Sequence, residues 1–342
     1  VRLFSESTFT VRGHGVHSIY EEQFRAISDM DDVELVSGIR SCGPDVILNA
    51  HTVGPFALVR ILAHRGPVII TAHITPASFI GSIRGARYFN GMVSAYLRFF
   101  YNRANIIVAV SASTAAEIKM LKARPPIAVS HNAIDEREIR RLLTSRRSLR
   151  QKFGWREDII VLAVGQIQPR KGVEDFMACA AALPGFRFIW VGGMPFGAVS
   201  AERKKMLNLS LNPPPNVTFT GMKSRSEVYQ YYAAADIFFL PAGHETFGLA
   251  VLEAATAGLP IVIKDLECYR EWLGEGYLSG TTVDEYSEHL RRLAQPDFRE
   301  LQGGRASQAA MGYGFQSLST EIKGTFDLAV QHTRHDIQAP AI

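Results

Sequence analysis

The chain has 342 residues, 47% of them hydrophobic and 20% charged, with a formal net charge of +4. That length exceeds one ordinary core and favours two domains, while so mild a charge argues against nucleic acid as a partner, because such surfaces concentrate basic residues in a stripe. Cys42, Cys179 and Cys268 are too scattered for a disulfide framework or a metal knuckle; no apolar run reaches the roughly 18 residues of a membrane-spanning helix, and VRLFSES lacks the layout of a secretory signal, so a cytoplasmic protein is expected.

The strand pattern VRLFSES leads into TVRGHGVHSIYEEQ, where Gly13 and Gly15 let a loop fold tightly at a helix start. A tight turn without a ligand would use the same glycines. PDVILNAH and PVIITAH read as buried strands ending in His51 and His73, positions open to a ligand contact or to simple packing. In FIGSIRGARYFNGMVSAYLRFFYNRA, Phe89, Met92, Val93, Tyr96, Leu97 and Phe100 recur at helical spacing among Arg84, Arg87, Arg98 and Arg103. A core helix with a solvated face fits this pattern. An interfacial helix fits it too, with Phe89, Tyr96 and Phe100 in lipid and the arginines on anionic head groups. NIIVAVS and PIAVSHN close the first strand group. The basic, strandless EREIRRLLTSRRSLRQKFGW connects onward and adds weight to a membrane surface.

The second strand group is DIIVLAVG, FRFIWVGG, NVTFTG, ADIFFLPA and PIVIKD, again alternating with helical segments. Apolar strands alternating with helices indicate parallel sheets covered on both faces. The expected class is α/β with two doubly wound, Rossmann-like domains. Residues 1–135 form the first, 136–306 the second, and 307–342 a helix packing back toward the first, followed by a tail. Loops at the C-terminal strand ends of such sheets line a cleft.

Two motifs in the second group carry chemistry. In PAGHETFGLAVLEAATAGLP, a helix is expected from about Thr246 to about Ala257, with Glu245 in the loop before it and Glu253 two turns inside. The N–H groups of Phe247, Gly248 and Leu249 would be unpaired donors suited to phosphate, and Gly248 would let a ligand approach the backbone. A carboxylate, a phosphate site and a second carboxylate would then lie along one line. The plainer reading is two glutamates on a solvated helix face. VGQIQPRKGVEDF follows the strand DIIVLAVG and places Gln166, Arg170 and Lys171 in a loop at its end.

Together these motifs resemble the retaining glycosyltransferases of the fourth family, which have the two-domain GT-B fold with the domains facing across a cleft. The family's signature is Glu, seven residues, Glu, joined by a Gly-Arg and Lys-Gly loop. The resemblance implies that Lys171 neutralises a donor diphosphate, that Glu245 meets the transferred sugar and Glu253 the ribose, and that His73 contacts the sugar, with His51 in support. Glu245, His73 and Lys171 form the implied catalytic set. Gly13, Gly15, Gln166, Arg170, Lys171, Phe247, Gly248, Leu249 and Glu253 form the implied donor site. Gln166 stands where the family has arginine, a charge that Arg170 can restore. In SHNAIDE, Asn132 and Asp135 match an Asn-Gly-hydrophobic-Asp segment with Ala133 for the glycine.

No metal-binding DxD pair stands at a suitable loop, and no cofactor is implied beyond a nucleotide-diphosphate sugar, a UDP-sugar foremost, as donor. The implied reaction moves a hexose, with retention, to a hydroxyl of a lipid or saccharide acceptor. VGQIQPRKG, TAHITPASFIGSIRGARYF and NPPPNVTFTG look most like bacterial enzymes that glucosylate diacylglycerol. That likeness implies a peripheral protein on the inner face of the cell membrane, with Arg84, Arg87, Phe89, Tyr96 and Arg98 meeting membrane or acceptor. Two other readings stay open: a nucleotide-sugar epimerase of the same fold, and a non-catalytic nucleotide-binding partner subunit, for which Gln166 and Ala133 speak.

Overall fold

The computed structural model describes residues 1–9, 15–36, 43–80, 86–194 and 202–338. Gly13, Cys42 and Arg84 lie outside the described residues, as does the side chain of Arg87. The chain divides into two compact units, one holding Val1–Ile80, Gly85–Ile134 and Phe315–Ile342 and the other holding Asp135–Gly314.

The first unit is built on five parallel strands in chain order: β1 (Arg2–Phe4), β2 (Leu48–Ala50), β3 (Val68–Ala72), β4 (Ile106–Ala109) and β5 (Ile127–Val129). Its helices are α1 (Gly15–Ser28), α2 (Pro55–Ala63), α3 (Pro76–Ile80), α4 (Asn90–Tyr101) and α5 (Ala112–Met120). Every residue of β2, β3 and β4 is buried, which is why these strands read as unbroken apolar runs. Alternate side chains point to opposite faces. Ile70 and Ile107 pack with Ala57 and Ile61 of α2 and with Leu97 and Phe100 of α4. Ile69, Ile106 and Val108 pack on the other face with Ala26 and Ile27 of α1 and with Leu318, Ile322 and Phe326 near the chain's C-terminal end.

The second unit opens with α6 (Glu136–Leu143) and α7 (Arg146–Phe153), followed by β6 (Ile159–Val164), α8 (Val173–Ala182), β7 (Phe186–Val191), α9 (Arg203–Leu211) and β8 (Val217–Phe219). It continues through α10 (Arg225–Ala234), β9 (Ile237–Leu240), α11 (Leu249–Thr256), β10 (Ile261–Ile263), α12 (Glu267–Leu273), β11 (Leu278–Ser279), α13 (Val283–Arg292) and α14 (Pro296–Ala310). The last helix, α15 (Phe315–Gln338), supplies Leu318, Ile322 and Phe326 to the first unit.

The strands of the second unit run β11-β10-β9-β6-β7-β8, all parallel. Order therefore proceeds outward in both directions from the β6–β9 pair. Beside such a switch point the loops leaving the two strands diverge and open a crevice at their C-terminal ends.

Two arginines of the basic connection serve the fold itself. Arg146 and Arg150 of α7 both bind the carboxylate of Asp236, at 2.5 and 2.8 Å, just ahead of β9. The same carboxylate accepts the Ile160 N–H at 2.8 Å, so the two arginines fasten α7 to the sheet.

Candidate functional site

After β6 the chain makes a 3-10 turn over Pro169–Lys171 and leaves it through Gly172 at φ 75°. A Cβ on Gly172 would lie 2.2 Å from the Pro241 carbonyl, so glycine lets this loop press against the end of β9. Gly243 N–H donates to the Arg170 carbonyl at 2.8 Å, and Arg170 Nη1 donates to the His244 carbonyl at 3.3 Å. These contacts clamp the β6 and β9 loops together.

The clamp brings together Lys171 and Glu245, 74 positions apart in sequence, as a hydrogen-bonded ion pair. Arg170 lies 3.8 Å from the other oxygen of Glu245, and its Nε donates to Gln168 at 3.1 Å. Burial works against the charge on Glu245, but Lys171 and Arg170 outweigh it and hold the carboxyl below its ordinary range. Burial, with Arg170 adding to it, pushes the Lys171 ammonium below its usual value although Glu245 resists. Two cations thus face one carboxylate, leaving positive charge in excess for a phosphate. Gln166, where the family has arginine, is half-buried in the same loop.

Helix α11 starts at Leu249, three residues later than the spacing suggests, with Gly248 as its N-cap at φ 90°. The Val251 and Leu252 N–H groups both donate to the Gly248 carbonyl, at 2.9 and 3.1 Å. The amides of Gly248, Leu249 and Ala250 therefore precede the first helical hydrogen bond and are the donors this end offers. Phe247 is not part of that turn; its buried ring stacks on Trp272 with centroids 5.6 Å apart. Gly248 also has a packing reason. A Cβ there would lie 2.4 Å from Cε1 of Tyr269, whose ring lies against this position.

Because the helix starts late, Glu253 sits little more than one turn inside it. The residue is buried, and its Oε2 accepts a hydrogen bond from Tyr232 Oη at 3.0 Å. Tyr232, on α10, also lies 3.1 Å from the Ala250 carbonyl. Sequence reasoning missed it, since nothing local marks a tyrosine 21 residues before its partner.

In the first unit, His51 and His73 follow β2 and β3, and both are buried. Their Nδ1 and Nε2 atoms are 3.1 Å apart, with ring planes 20° from parallel. Burial, then the neighbouring His73, holds His51 well below the ordinary imidazole value. Gly15 is the first residue of α1. Asn132 is buried, and Ala133 packs into the core with Ile322 and Phe326, so its methyl fills space a glycine would leave. Asp135 caps α6 by accepting the Arg137 N–H at 3.1 Å.

The α4 segment has a buried face and an exposed one. Leu97 and Phe100 are core residues, which removes Phe100 from any lipid-facing set. Phe89, in a 3-10 turn before α4, is exposed, together with Met92, Arg98 and Phe99. Tyr96 is only 37% exposed, and its Oη donates to the Val53 carbonyl at 2.5 Å, tying α4 to the start of α2. The sequence reading overlooked the outer face of α2, where Phe56, Val59 and Leu62 are 59%, 65% and 57% exposed. Among the described residues, no group of three or more His, Cys, Asp or Glu could hold a metal ion.

Two parallel α/β sheets, with loop chemistry at the switch point of the second, define the GT-B class of glycosyltransferase. Residues 7–138 match the family described as Glycosyltransferase Family 4, and residues 145–295 match Glycosyl transferases group 1. The chain is 30% identical over 296 residues to the alpha-galactosylglucosyldiacylglycerol synthase of Streptococcus pneumoniae, covering 83% of this chain and 77% of that one. It is 24% identical over 306 residues to the processive diacylglycerol alpha-glucosyltransferase of Acholeplasma laidlawii, covering 88% and 90%. In fold it is similar to HepE of Anabaena in complex with UDP and glucose, with a TM-score of 0.67 at 20% identity over 82% of this chain and 77% of that one. WaaG, a glycosyltransferase involved in lipopolysaccharide biosynthesis, matches with a TM-score of 0.69 at 17% identity over 95% and 98%. The chain belongs to glycosyltransferase family 4.

Proposed function

We propose that this glycosyltransferase moves a hexose from a UDP-sugar to a hydroxyl of a diacylglycerol-based lipid, with retention of configuration, at an anionic membrane surface. The observation that carries the donor half is the Lys171–Glu245 pair with Arg170 beside it, at the β6–β9 switch point. A nucleoside diphosphate leaves readily once its charge is neutralised, so the main task is electrostatic. Lys171 and Arg170 would supply that charge together with the amides of Gly248, Leu249 and Ala250. Drawing Lys171 onto the diphosphate frees Glu245 to accept hydrogen bonds from the sugar, while Glu253, steadied by Tyr232, takes the ribose. His73 would meet the transferred sugar from the first domain, residues 1–135. The second domain, 136–306, would hold the donor, and the segment 307–342 would return to the first. By family resemblance the acceptor attacks from the face the phosphate leaves, and the phosphate helps remove its proton.

The acceptor half rests on the two diacylglycerol-modifying relatives and on the outer face of α2 and α4. Residues 46–116 contain six arginines and no Asp or Glu. Phe56, Val59, Leu62, Phe89, Met92 and Phe99 are exposed within that acid-free stretch. Exposed apolar side chains in a stretch whose only charged residues are arginines suit the interface of an anionic bilayer. Among the described residues no helix is long and apolar enough to cross a membrane, so attachment would be peripheral. Neither the epimerase nor the non-catalytic reading gains support from the relatives, both of which are named for glycosyl transfer.

The reading is tested by incubating the full chain with labelled UDP-glucose or UDP-galactose and with diacylglycerol or glucosyl-diacylglycerol in nonionic detergent micelles. A labelled lipid whose new linkage is α by NMR is expected. An isomerised donor, a labelled saccharide only, or no turnover with any of these would contradict it.

A further inference from the structure

We infer that Tyr269 is a positioning residue for Glu245: when the donor diphosphate draws Lys171 away, the Tyr269 phenol donates to the carboxylate and keeps it an ionised acceptor for the sugar. The inference deepens the proposed function and rests on its reading of Lys171 as the diphosphate ligand. Tyr269 belongs to α12 and is fully buried. Its ring lies against the segment between β9 and α11 that carries Glu245. A Cβ on Gly248, three residues beyond Glu245, would stand 2.4 Å from Cε1 of that ring and 3.2 Å from its Oη.

The Oη of Tyr269 is buried and has no hydrogen-bond partner. A buried hydroxyl left unpaired is costly, and phenylalanine would fill the same space without that cost. A second arrangement of the site, in which the phenol donates, gives the hydroxyl its reason. Burial raises the phenol well above its ordinary pKa, and Glu245 is the strongest of the charges acting on it, ahead of Cys268 and of Arg170, which opposes. Phenol and carboxylate are thus within electrostatic reach of each other without being bonded.

The titratable and charged groups facing Glu245 are Lys171, Arg170, His244, Cys268 and Tyr269. Lys171 gives the carboxylate a hydrogen bond, whereas Arg170, at 3.8 Å, stands beyond hydrogen-bond range. The Glu245 side chain is only 9% exposed, so water does little to replace Lys171 once the diphosphate takes it. A buried carboxylate that loses its donor takes up a proton more readily, and a protonated Glu245 would no longer be a full acceptor for sugar hydroxyls. Among the facing groups Tyr269 alone offers a hydroxyl, and that hydroxyl is uncommitted. A small turn of the Glu245 side chain toward Gly248 would bring the two together.

The experiment is carbon NMR on the full chain labelled at the tyrosine Cζ, whose signal moves downfield when the phenol donates to a carboxylate, with Tyr269 assigned from a Tyr269→Phe variant. Lys171→Met keeps the stem of the side chain without its charge, and should show the shifted Tyr269 signal before any ligand is added; an unshifted signal overturns the inference. In the wild type the same shift is expected on saturation with UDP. A shift in Lys171→Met but none in the wild type with UDP upholds the inference, and the placement of Lys171 on the diphosphate is then what fails. Tyr269→Phe should melt no lower than the wild type without ligand, because the hydroxyl has no partner there. In the transfer assay it should lower kcat/KM for the donor about tenfold, the worth of one hydrogen bond to a charged group. It should also move the acid limb of the kcat profile to higher pH, since Glu245 then takes up its proton more readily. A lower melting temperature with transfer and pH profile unchanged would mean that the hydroxyl only packs, and overturns the inference.

Discussion

Lys171 and Glu245 neutralise each other in the resting site, and that contact makes separable predictions. Lys171→Ala should weaken UDP binding by about 1.5 to 3 kcal/mol, the scale of a charge-assisted hydrogen bond; calorimetry showing unchanged affinity would remove Lys171 from the diphosphate. The pair also sets a pH dependence. The Glu245 carboxyl is held below its ordinary value by Lys171 and Arg170 against the effect of burial. Its contribution to stability is therefore fully present above the unfolded carboxyl pKa of about 4.3 and is lost as pH falls through the lower folded value. The melting-temperature gap between wild type and Glu245→Gln should accordingly narrow on acidification below about pH 4; a gap constant with pH would contradict this. Tyr232→Phe removes the hydrogen bond to Glu253 and should reduce discrimination between UDP and 2′-deoxy-UDP, with uridine-base recognition untouched. Equal discrimination in both proteins would mean that Tyr232 only packs. Lys171 and Glu245 were legible because a loop of fixed spacing after a strand carries each of them. Tyr232 and the Tyr269 ring against Gly248 were not, because both contacts arise from helices packing across the second unit.

At the scale of elements, the sequence located α11 but misplaced its start. Thr246 sits where a helix could begin, yet Phe247 turns inward onto Trp272 and Gly248 takes a left-handed conformation over Tyr269. Tertiary packing thus overrides the local signal. Gly248→Ala would force a Cβ against Tyr269 at a φ unfavourable to alanine, and should cost about 1 to 3 kcal/mol of stability. Urea unfolding at the wild-type midpoint would contradict that account. Other boundaries carry a local signal that the sequence reading did not use. Ser224 with Glu227, and Thr282 with Glu285, form capping boxes that open α10 and α13. The α4 segment shows the limit of periodicity, which identifies an apolar stripe without saying what covers it. Leu97 and Phe100 proved to be core, while Met92 and Phe99 stayed exposed.

At the scale of the whole molecule, alternating apolar strands and helices were enough to anticipate two parallel sheets, since only strands buried on both faces read as unbroken Val and Ile runs. The strand order in the second unit could not be read, because pairing of β6 with β9 depends on which crossover returns past the starting strand. The acid-free stretch 46–116 carries the membrane reading, and its test is physical. The full chain should sediment with anionic phosphatidylglycerol vesicles and not with neutral phosphatidylcholine ones, and less so as salt rises, since each basic residue contributes about 1 kcal/mol at a charged surface. Val59→Glu and Met92→Glu change exposed side chains, so the fold should survive while sedimentation is lost. Sedimentation that persists in both variants would place membrane contact elsewhere.

The central claim is that the crevice between β6 and β9 holds the donor, with Lys171 on the diphosphate and Glu245 on the sugar. It is tested most directly by comparing UDP affinity and transfer rate in Glu245→Gln. The substitution keeps the shape, releases Lys171 from its ion pair and weakens the hydrogen-bond acceptor for the sugar. UDP affinity should stay level or rise, while transfer falls about 100-fold. Parallel loss of both quantities, or loss of neither, would contradict the division of labour on which the donor site is built.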